Sequence, residues 1–301
     1  MEVVSISGGL GNQMFQYALF LSKQKNNKNI KFTDSFFNYY PDIHNGFELD
    51  RIFNITLNRN NNFFTRKIIW VASKITILKD RGGRYRVLLV IPYIIAFFFI
   101  ISEKRYGIYD SQILKKRRGA HLYWGHWISE KYFGNIKKDI WANFTFKTEA
   151  ISDKSASTLH MIENSNSISL HIRRGDYLSE ENIILYGNIC TIEYYSMAIS
   201  IIKEKTENAE FFIFSNDIKW VKENLQVDNS HYIDWNEKEN SWQDMFLMSK
   251  CKHNIIANST FSWWGAWLNQ NPEKIIISPD RFFNKEDAPD LIPDSWIKIT
   301  T

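Results

Sequence analysis

Two adjacent arginines, Arg173 and Arg174, follow a run of alternating residues over 168–172. A period of two is typical of a strand with one buried face, so both arginines are expected at the end of a strand. In open α/β sheets, ligands bind beyond the carboxyl ends of the strands, and guanidinium groups match phosphate oxygens bidentately. The pair therefore indicates a diphosphate-binding turn. The alternative is a solvated strand end at which the arginines pair with Asp176 and Glu180.

Polar residues follow two further expected strands in the same half of the chain. Asp217 comes after the strand expected over 211–214, and Ser259 with Thr260 comes after the strand expected over 254–257. A carboxylate accepts paired N–H donors from a purine edge, while hydroxyls and free N–H groups at a helix start suit phosphate. Each of these residues is equally compatible with a plain helix N-cap. Their recurrence at successive strand ends favours a nucleotide diphosphate site.

A glycine-rich turn near the start of the chain joins a first expected strand to a helix expected over 15–22. Its glycines, among them Gly9 and Gly11, allow backbone N–H groups and a positive helix end to approach an anion. Met14 stands where the dinucleotide fingerprint needs a third glycine, and no P-loop lysine follows, so both of those site types are disfavoured. Asn12 is expected to be the N-cap of the helix, in a turn that also forms part of a site.

Length and composition are those of a globular protein with two domains. At 301 residues, the chain fits a division near residue 150, into domains over 1–150 and 151–301. In the second half, expected strands alternate with expected helices, among them a helix over 242–250 and a last strand over 275–277. This alternation argues for a parallel, doubly wound α/β sheet. The net charge of +4 is mild and no dense arginine–lysine tract occurs, so nucleic acid is not indicated as a partner.

The cysteines and the start of the chain bear on location. Cys190 and Cys251 lack metal-ligand spacing and cannot make a disulfide framework, which fits the reducing cytoplasm. The chain starts with an expected strand and not with the pattern of a signal peptide. A cytoplasmic protein is therefore the expectation.

Residues 64–118 form a basic and apolar insertion in the first domain. The run over 87–101 is almost wholly apolar, but its 15 residues are interrupted by Pro92. A membrane-spanning helix needs about 20 apolar residues, so a transmembrane helix is rejected. A helix buried in the N-terminal domain is the favoured interpretation. The alternative is an interfacial helix that its basic flanks hold peripherally to the inner membrane surface.

Four motifs together resemble the bacterial α-1,2-fucosyltransferases of glycosyltransferase family 11. They are the glycine turn and following helix over 8–18, the arginine motif over 171–177, the segment over 214–217 and the segment over 258–268. The resemblance extends over most of the chain, and the first and last motifs are long and specific.

The resemblance implies a GT-B-type fold, with two Rossmann-like domains facing across a cleft. The domain over 1–150 would lie on the acceptor side, and the domain over 151–301 would bind the GDP-sugar. The implied reaction is transfer of L-fucose from GDP-β-L-fucose to the 2-hydroxyl of a galactose in a β-galactoside glycan, with inversion. The implied role is surface polysaccharide, or O-antigen, synthesis.

The resemblance also implies roles for individual residues. Arg173 would hold the β-phosphate, and Asn12 would approach both donor and acceptor. The remaining donor-binding residues would be His171 and Asp217 at the guanine, Ser259, Thr260 and Phe261 along the diphosphate and base, Arg174 beside Arg173, and Gly9 and Gly11 in the glycine turn.

The chemistry of the leaving group indicates that no metal and no cofactor are needed. Negative charge builds on the β-phosphate as GDP leaves, and no Asp-x-Asp sequence occurs that could hold a metal ion there. Arg173, Arg174 and the helix start at Ser259 are expected to stabilise that charge instead. Asp176 and Asp34 are candidates for an acceptor base by position only. The competing interpretation is a nucleotide- or glycan-binding module without catalysis, which needs only one of the two domains.

Overall fold

The computed structural model describes residues 1–41, 43–55, 57–63, 65–70, 99–285 and 287–301. The chain divides into two compact units, Met1–Thr145 and Phe146–Thr301. Each unit is built on a parallel β-sheet with helices between its strands, so both have the layered α/β architecture that the sequence predicts for the second half.

The first unit contains a four-stranded sheet in the order β2-β1-β4-β3. Its strands are β1 (Glu2–Ser5), β2 (Lys31–Thr33), β3 (Ile100–Ser102) and β4 (His121–Trp124). Its α-helices with both ends in the described residues are α1 (Leu10–Asn26), α2 (Leu49–Ile52) and α3 (Lys137–Asn143), and residues 65–70 are helical as well. All paired strands run parallel, and β1 is buried along its whole length, as expected for a strand covered on both faces.

A buried ion pair fastens α1 to the sheet of the first unit. The Nζ of Lys23 lies 3.2 Å from the carboxylate of Glu2, and both side chains are 1% exposed. Tyr123 and Asn27 donate hydrogen bonds to the same carboxylate, and Lys23 also donates to the carbonyl of Ile113 at 2.6 Å. Buried charges are tolerated when they are paired and hydrogen-bonded in this way, so the group has a structural role.

The second unit contains a six-stranded sheet in the order β10-β9-β8-β5-β6-β7. Its strands are β5 (Asn166–Ile172), β6 (Ala209–Ser215), β7 (Ser230–Ile233), β8 (His253–Ile255), β9 (Ile276–Pro279) and β10 (Ile297–Ile299). Its α-helices in the described residues are α4 (Asp153–Glu163), α5 (Glu180–Tyr186), α6 (Ile192–Lys205), α7 (Ile218–Asn224), α8 (Trp242–Lys250) and α9 (Thr260–Leu268). All paired strands are parallel.

The strand order reverses at β5. The chain runs outward from β5 through β6 to β7, and then returns to place β8 on the other side of β5. Such a switch point opens a crevice at the carboxyl ends of the two central strands. Ile168, Leu170 and Ile172 of β5 pack into one core with Phe211 and Ile213 of β6. The alternation that the sequence shows therefore fixes the face of β5, and its carboxyl end leads directly to Arg173.

Several predicted elements are confirmed, and the prediction of the last strand is corrected. Helix α8 begins and ends at the predicted residues, and the predicted strands at 168, 211 and 254 are present within one or two residues. The strand predicted near 275–277 is not the last one, because β10 follows and pairs with β9. The signal for β10 was weak because it has only three residues.

The apolar run over 87–101 falls largely on residues 71–98, which lie outside the described residues. Its last two residues, Ile100 and Ile101, belong to β3 and pair with Leu122 and Tyr123 of β4, so a helix over the whole run is wrong there. β-Branched residues favour strands, and a neighbouring strand overrode the helical interpretation. Within the described residues, every helix is too short or too polar to cross a membrane.

Candidate functional site

Three loops meet at the carboxyl ends of β5, β6 and β8. The backbone N–H of Arg174, after β5, donates to Oδ1 of Asn216, after β6, at 3.0 Å. The hydroxyl of Tyr177 donates to the carbonyl of Asn258, after β8, at 3.0 Å. The switch point thus gathers the arginine motif, the segment near Asp217 and the start of α9, as the strand-end argument predicted.

Arg173 is held by Asp176 in the turn that follows β5. Its Nε lies 2.9 Å from Oδ1 of Asp176, and one Nη donates to Oδ2 at 2.9 Å. The two side chains are 30% and 46% exposed. One edge of the guanidinium fork is engaged by a carboxylate, while a guanidinium carries five N–H donors in total. Asp176 therefore holds the guanidinium by one hydrogen bond and one close ion-pair contact, and the Nε of Arg173 makes no hydrogen bond among the described residues.

Arg174 contacts residues that follow β6. Its guanidinium carbon lies 3.6 Å from the centre of the Trp220 ring, and its Nε lies 3.4 Å from Oδ2 of Asp217. The alternative drawn from the sequence is therefore right for Arg173 with Asp176, whereas Arg174 pairs with Asp217 and not with Glu180. Stacking on an indole face and pairing with a carboxylate hold Arg174 in one orientation.

Asp217 is the N-cap of α7. Its Oδ1 accepts from the N–H of Trp220 at 3.2 Å, and its Oδ2 faces Arg174. The N-cap interpretation is thus present in the structure. A guanine contact of the same carboxylate stays a prediction, and the geometry adds that it would have to share Oδ2 with Arg174.

His171 is the last but one residue of β5 and is 5% exposed. Burial, and secondarily the charge of Arg173, lowers the pKa of His171 to about 3, so the ring is neutral at physiological pH. Its ring centre lies 6.0 Å from that of Phe261 in α9. Among the described residues, its Nδ1 has no hydrogen-bond partner. A buried ring nitrogen without a partner is costly, and a polar ligand in the crevice would satisfy it.

The start of α9 is fixed by its neighbours. Ser259 is the N-cap and accepts from the N–H of Phe261 at 3.3 Å, and Thr260 is the first helical residue. The side chain of the buried Asn258 donates to the carbonyls of Tyr186 and Phe282 at 3.0 and 3.2 Å. The positive end of the helix dipole is therefore held rigidly at the carboxyl end of β8.

The glycine turn of the first unit differs from the expectation at Asn12. Helix α1 begins at Leu10 with Gly9 as its N-cap and no side-chain cap, so Asn12 lies in the first turn and the N-cap prediction is wrong. Gly8 has a φ of 76°, which favours glycine, and this lets the chain enter the helix before Asn12 is reached. Gly11 is the second residue of the helix.

Two glutamines that the sequence did not mark out hold this turn. Gln13 donates to the carbonyls of Gly8 and Gly46 at 2.9 and 2.8 Å and accepts from the N–H of Glu48 at 2.9 Å. Gln16 accepts from the N–H of Ser7 at 2.8 Å. Their position one helical turn apart was the available signal, because such residues share one face of a helix.

Asp244 is a further titratable group that the sequence did not mark out. It lies in the first turn of α8, and Nδ2 of Asn236, in the loop after β7, donates to its Oδ1 at 2.8 Å. Desolvation raises the pKa of Asp244 to about 7, against the effect of the Asn236 hydrogen bond. An aspartate in the first turn of a helix is ordinary, so no sequence pattern indicated its desolvation.

Comparison with known proteins identifies the class of this protein. The model of glycosyl transferase family 11 matches residues 1–299. The chain belongs to this family, and the fold is of the GT-B type, with two Rossmann-like units. The relatives named in the next paragraph are glycosyltransferases.

Two curated relatives from Escherichia coli are similar over almost the whole chain. An α-1,2-colitosyltransferase is 34% identical and covers 99% of this chain and 98% of its own. The O-antigen biosynthesis glycosyltransferase WbnK is 32% identical and covers 98% of this chain and 99% of its own. Among solved structures, the NodZ α-1,6-fucosyltransferase co-crystallised with GDP is similar in fold, with a TM-score of 0.50, 14% identity and coverage of 88% and 91%.

Proposed function

We propose that the protein is an inverting fucosyltransferase that moves L-fucose from GDP-β-L-fucose to the 2-hydroxyl of a terminal galactose in a glycan. The observation that carries the proposal is the meeting of Arg173, His171 and the start of α9 at the switch point of a family 11 glycosyltransferase. The 2-linkage also draws support from the α-1,2 linkage in the name of one relative.

Arg173 is assigned to the β-phosphate. Its pair with Asp176 is more than a quarter exposed on both sides, and exposed ion pairs contribute only about 0–1 kcal/mol, so phosphate oxygens can share or displace the carboxylate. A diphosphate offers the guanidinium more oxygens and more charge than one carboxylate. Binding of the donor and weakening of the Arg173–Asp176 pair are therefore coupled in this proposal.

The guanine is assigned to a position beside His171 and Phe261. The neutral ring of His171 has a nitrogen that is buried and without a partner among the described residues, and purine N–H and carbonyl groups are suitable partners for it. Phe261 supplies an apolar surface next to it. Asp217 is proposed as a second guanine contact, with Ser259 and Thr260 directed to the diphosphate through the helix start.

Charge on the departing diphosphate is proposed to be stabilised without a metal. Arg173 and the positive end of α9 are preorganised donors at the place where that charge develops. Both aspartates considered as an acceptor base are engaged in ion pairs, Asp176 with Arg173 and Asp34 with Arg59 at 3.0 Å. The proposal is therefore that the sugar–phosphate bond is largely broken before the acceptor hydroxyl loses its proton.

A colitosyl donor is the second candidate, because one relative is named an α-1,2-colitosyltransferase and is 34% identical to the chain. Colitose is L-fucose without its 3-hydroxyl, so the two GDP-sugars share every group that the proposal assigns to the second unit. The two donors separate only at a contact to that hydroxyl. Competition between equal concentrations of GDP-fucose and GDP-colitose tests which sugar is preferred.

The direct test of the proposed activity is incubation of the purified protein with GDP-fucose and a panel of β-galactosides, followed by mass spectrometry. We expect the mass of one fucosyl residue to be added to at least one galactoside, and we expect the Arg173→Ala variant to add none. Binding of GDP without any product on the panel, or with GDP-colitose as donor, would favour the non-catalytic module.

A contact with the inner membrane surface is proposed as the setting of the reaction in surface polysaccharide synthesis. Lys115, Lys116, Arg117 and Arg118 are consecutive and exposed, and juxtaposed cations attract anionic lipid. Co-sedimentation with anionic vesicles at low salt, and its absence with neutral vesicles, is the expected result. A charge-reversed variant of these four residues that still co-sediments would remove this surface from the proposal.

A further inference from the structure

The side chain of Asn216 lies across the turn that carries Arg173. Its Oδ1 accepts from the N–H of Arg174 at 3.0 Å, and its Nδ2 donates to Oδ1 of Asp176 in a longer contact of 3.5 Å. Asp176 in turn accepts a hydrogen bond from one Nη of Arg173 at 2.9 Å and lies 2.9 Å from its Nε. One amide therefore connects the loop after β6 to the backbone and to the carboxylate that orient Arg173.

Gly175 makes this arrangement possible by its size. A Cβ added to Gly175 would overlap Nδ2 of Asn216 and lie 3.0 Å from its Cγ. The backbone of Gly175 is not in the left-handed region, so any residue type is conformationally allowed there. The overlapping atom is the end of a flexible side chain, and it would move aside at small steric cost. Glycine is required here for the approach of Asn216 and not for the turn itself.

We infer that Gly175 and Asn216 form a positioning pair that sets the orientation of the Arg173 fork through Asp176. Neither residue is assigned a contact with substrate. The inference rests on the proposed function, because it takes Arg173 as the residue that holds the β-phosphate. Its physical basis is preorganisation: a long charged side chain that is already oriented loses less freedom when the diphosphate binds.

The test compares the affinities for GDP and GMP, measured by isothermal titration. GMP lacks the β-phosphate, so a change in the orientation of Arg173 lowers the GDP affinity and leaves the GMP affinity unchanged. We expect the ratio of the two affinities to fall about three- to tenfold in Asn216→Ala, as for the loss of part of a charged hydrogen bond. General loosening of the second unit would weaken both nucleotides equally and leave the ratio unchanged.

The steric argument adds a test by double substitution. Gly175→Ala displaces the Asn216 amide, so it should lower the same ratio as far as Asn216→Ala does. The double variant should then be no worse than either single variant, because the displaced side chain is already absent. In the transfer reaction, the same variants should raise KM for GDP-fucose more than they lower kcat.

Two substitutions serve as matched controls. Gly134→Ala changes a glycine whose added Cβ meets no atom of the described residues within 4 Å. Asn224→Ala removes a side-chain hydrogen bond to the carbonyl of Trp220 at the far end of α7. Both should leave the ratio at its wild-type value. Thermal unfolding of all variants verifies that each is folded at the temperature of titration.

Three outcomes separate the inference from the proposed function. If Arg173→Ala lowers the ratio of GDP to GMP affinity while Asn216→Ala and Gly175→Ala do not, the positioning pair is wrong. The assignment of Arg173 to the β-phosphate is then kept. If the two single variants lower the ratio and their effects add in the double variant, the shared route through the Asn216 amide is also overturned. If Arg173→Ala itself leaves the ratio unchanged, the assignment of Arg173 to the β-phosphate fails, and the inference fails with it.

Discussion

The two units each place a turn after the first strand of a parallel sheet, and the two turns use their polar residues differently. In the glycine turn after β1, the amides of Gln13 and Gln16 bond to backbone groups of their own unit. In the arginine turn after β5, Arg173 and Arg174 pair with the carboxylates of Asp176 and Asp217. One turn is closed by buried neutral hydrogen bonds, and the other by partly exposed charged pairs.

This difference separates residues that build a site from residues that can exchange partners. The buried amide of Gln13 makes hydrogen bonds to three backbone groups. If it moved away, each of these groups would lose a hydrogen bond, which is costly in a buried place. An exposed ion pair is worth little in water and can give way to a more highly charged ligand. We therefore expect substitutions of Gln13 and Gln16 to affect mainly stability, and substitutions in the arginine turn to affect mainly binding and catalysis.

The largest effect on activity is expected for Arg173→Ala. Loss of one preorganised donor at a developing charge lowers the rate by about 10²–10³, and Arg173→Lys should also be poor because an ammonium does not reproduce the fork. The free energy of unfolding should change by less than about 1 kcal/mol, since the pair with Asp176 is partly exposed. Steady-state transfer assays and chemical denaturation measure both quantities.

The exposed Arg281, also in the second unit, provides the matched control, and Arg281→Ala should keep wild-type turnover. Near-normal transfer by a well-folded Arg173→Ala protein would contradict the assignment of Arg173 to the β-phosphate.

Gln13→Ala should show the opposite profile. Truncation removes three hydrogen bonds at a fully buried side chain and leaves the carbonyls of Gly8 and Gly46 and the N–H of Glu48 without that partner. The expected loss is about 2–4 kcal/mol in the free energy of unfolding. Denaturant titration measures it, and an unchanged midpoint would remove the contrast between the two turns.

Asp217→Asn distinguishes the two roles that are open for Asp217. If the carboxylate accepts two hydrogen bonds from guanine, the amide turns a donor against one of them, and GDP affinity falls at least about tenfold. If Asp217 only caps α7 and pairs with Arg174, asparagine caps equally well and the partly exposed pair is worth about 0–1 kcal/mol, so GDP affinity is kept and stability changes little. Titration of GDP into both proteins decides between these results.

Asp244→Asn should change the pH dependence of stability. The pKa of Asp244 is raised to about 7 in the folded protein, so the folded state binds more protons than the unfolded state between about pH 4 and 7. The free energy of unfolding of the wild type should therefore decrease, through this group, as pH rises from about 4 to 7. We expect Asp244→Asn to match the wild type at pH 4 and to be the more stable protein at pH 8, by thermal unfolding. If the stability of Asp244→Asn relative to wild type were lower at pH 8 than at pH 4, the predicted direction of the pKa shift of Asp244 would be contradicted.

The smallest effect is expected on metal removal. If arginine and a helix end stabilise the departing diphosphate, transfer should continue at its usual rate in excess EDTA. The control is readdition of Mn²⁺, which should not raise the rate. Complete loss on chelation that Mn²⁺ restores would show that the electrostatic assignment is wrong.

The sequence predicted those parts of the fold that depend on a local pattern. The alternation over 168–172 placed β5 and its buried face, and the apolar and aromatic residues over 242–250 marked α8. The gathering of three strand ends followed from a general rule about parallel sheets. These predictions succeeded because the periodicity of apolar residues reports the buried face of an element. The positions of the strand ends then follow from the parallel topology.

The contacts that the sequence did not predict join partners distant in the chain, whereas the start of α1 was misplaced for a local reason. The entry into α1 was misplaced because the positive φ of Gly8 moved the N-cap to Gly9. The pairing of Arg174 with Trp220 and Asp217, and the approach of Asn216 to Gly175, join residues about 40 positions apart. No local pattern encodes such contacts, since they arise only when β5 and β6 lie side by side.

The central claim is the transfer itself, and the linkage in the product tests it most directly. Product isolated after incubation with GDP-β-L-fucose and a β-galactoside should be examined by NMR for the position and anomeric configuration of the new sugar. We predict an α-linked fucose on the 2-hydroxyl of galactose, which follows from inversion of the β-linked donor. A β-linked product, or fucose on another hydroxyl, would contradict the account.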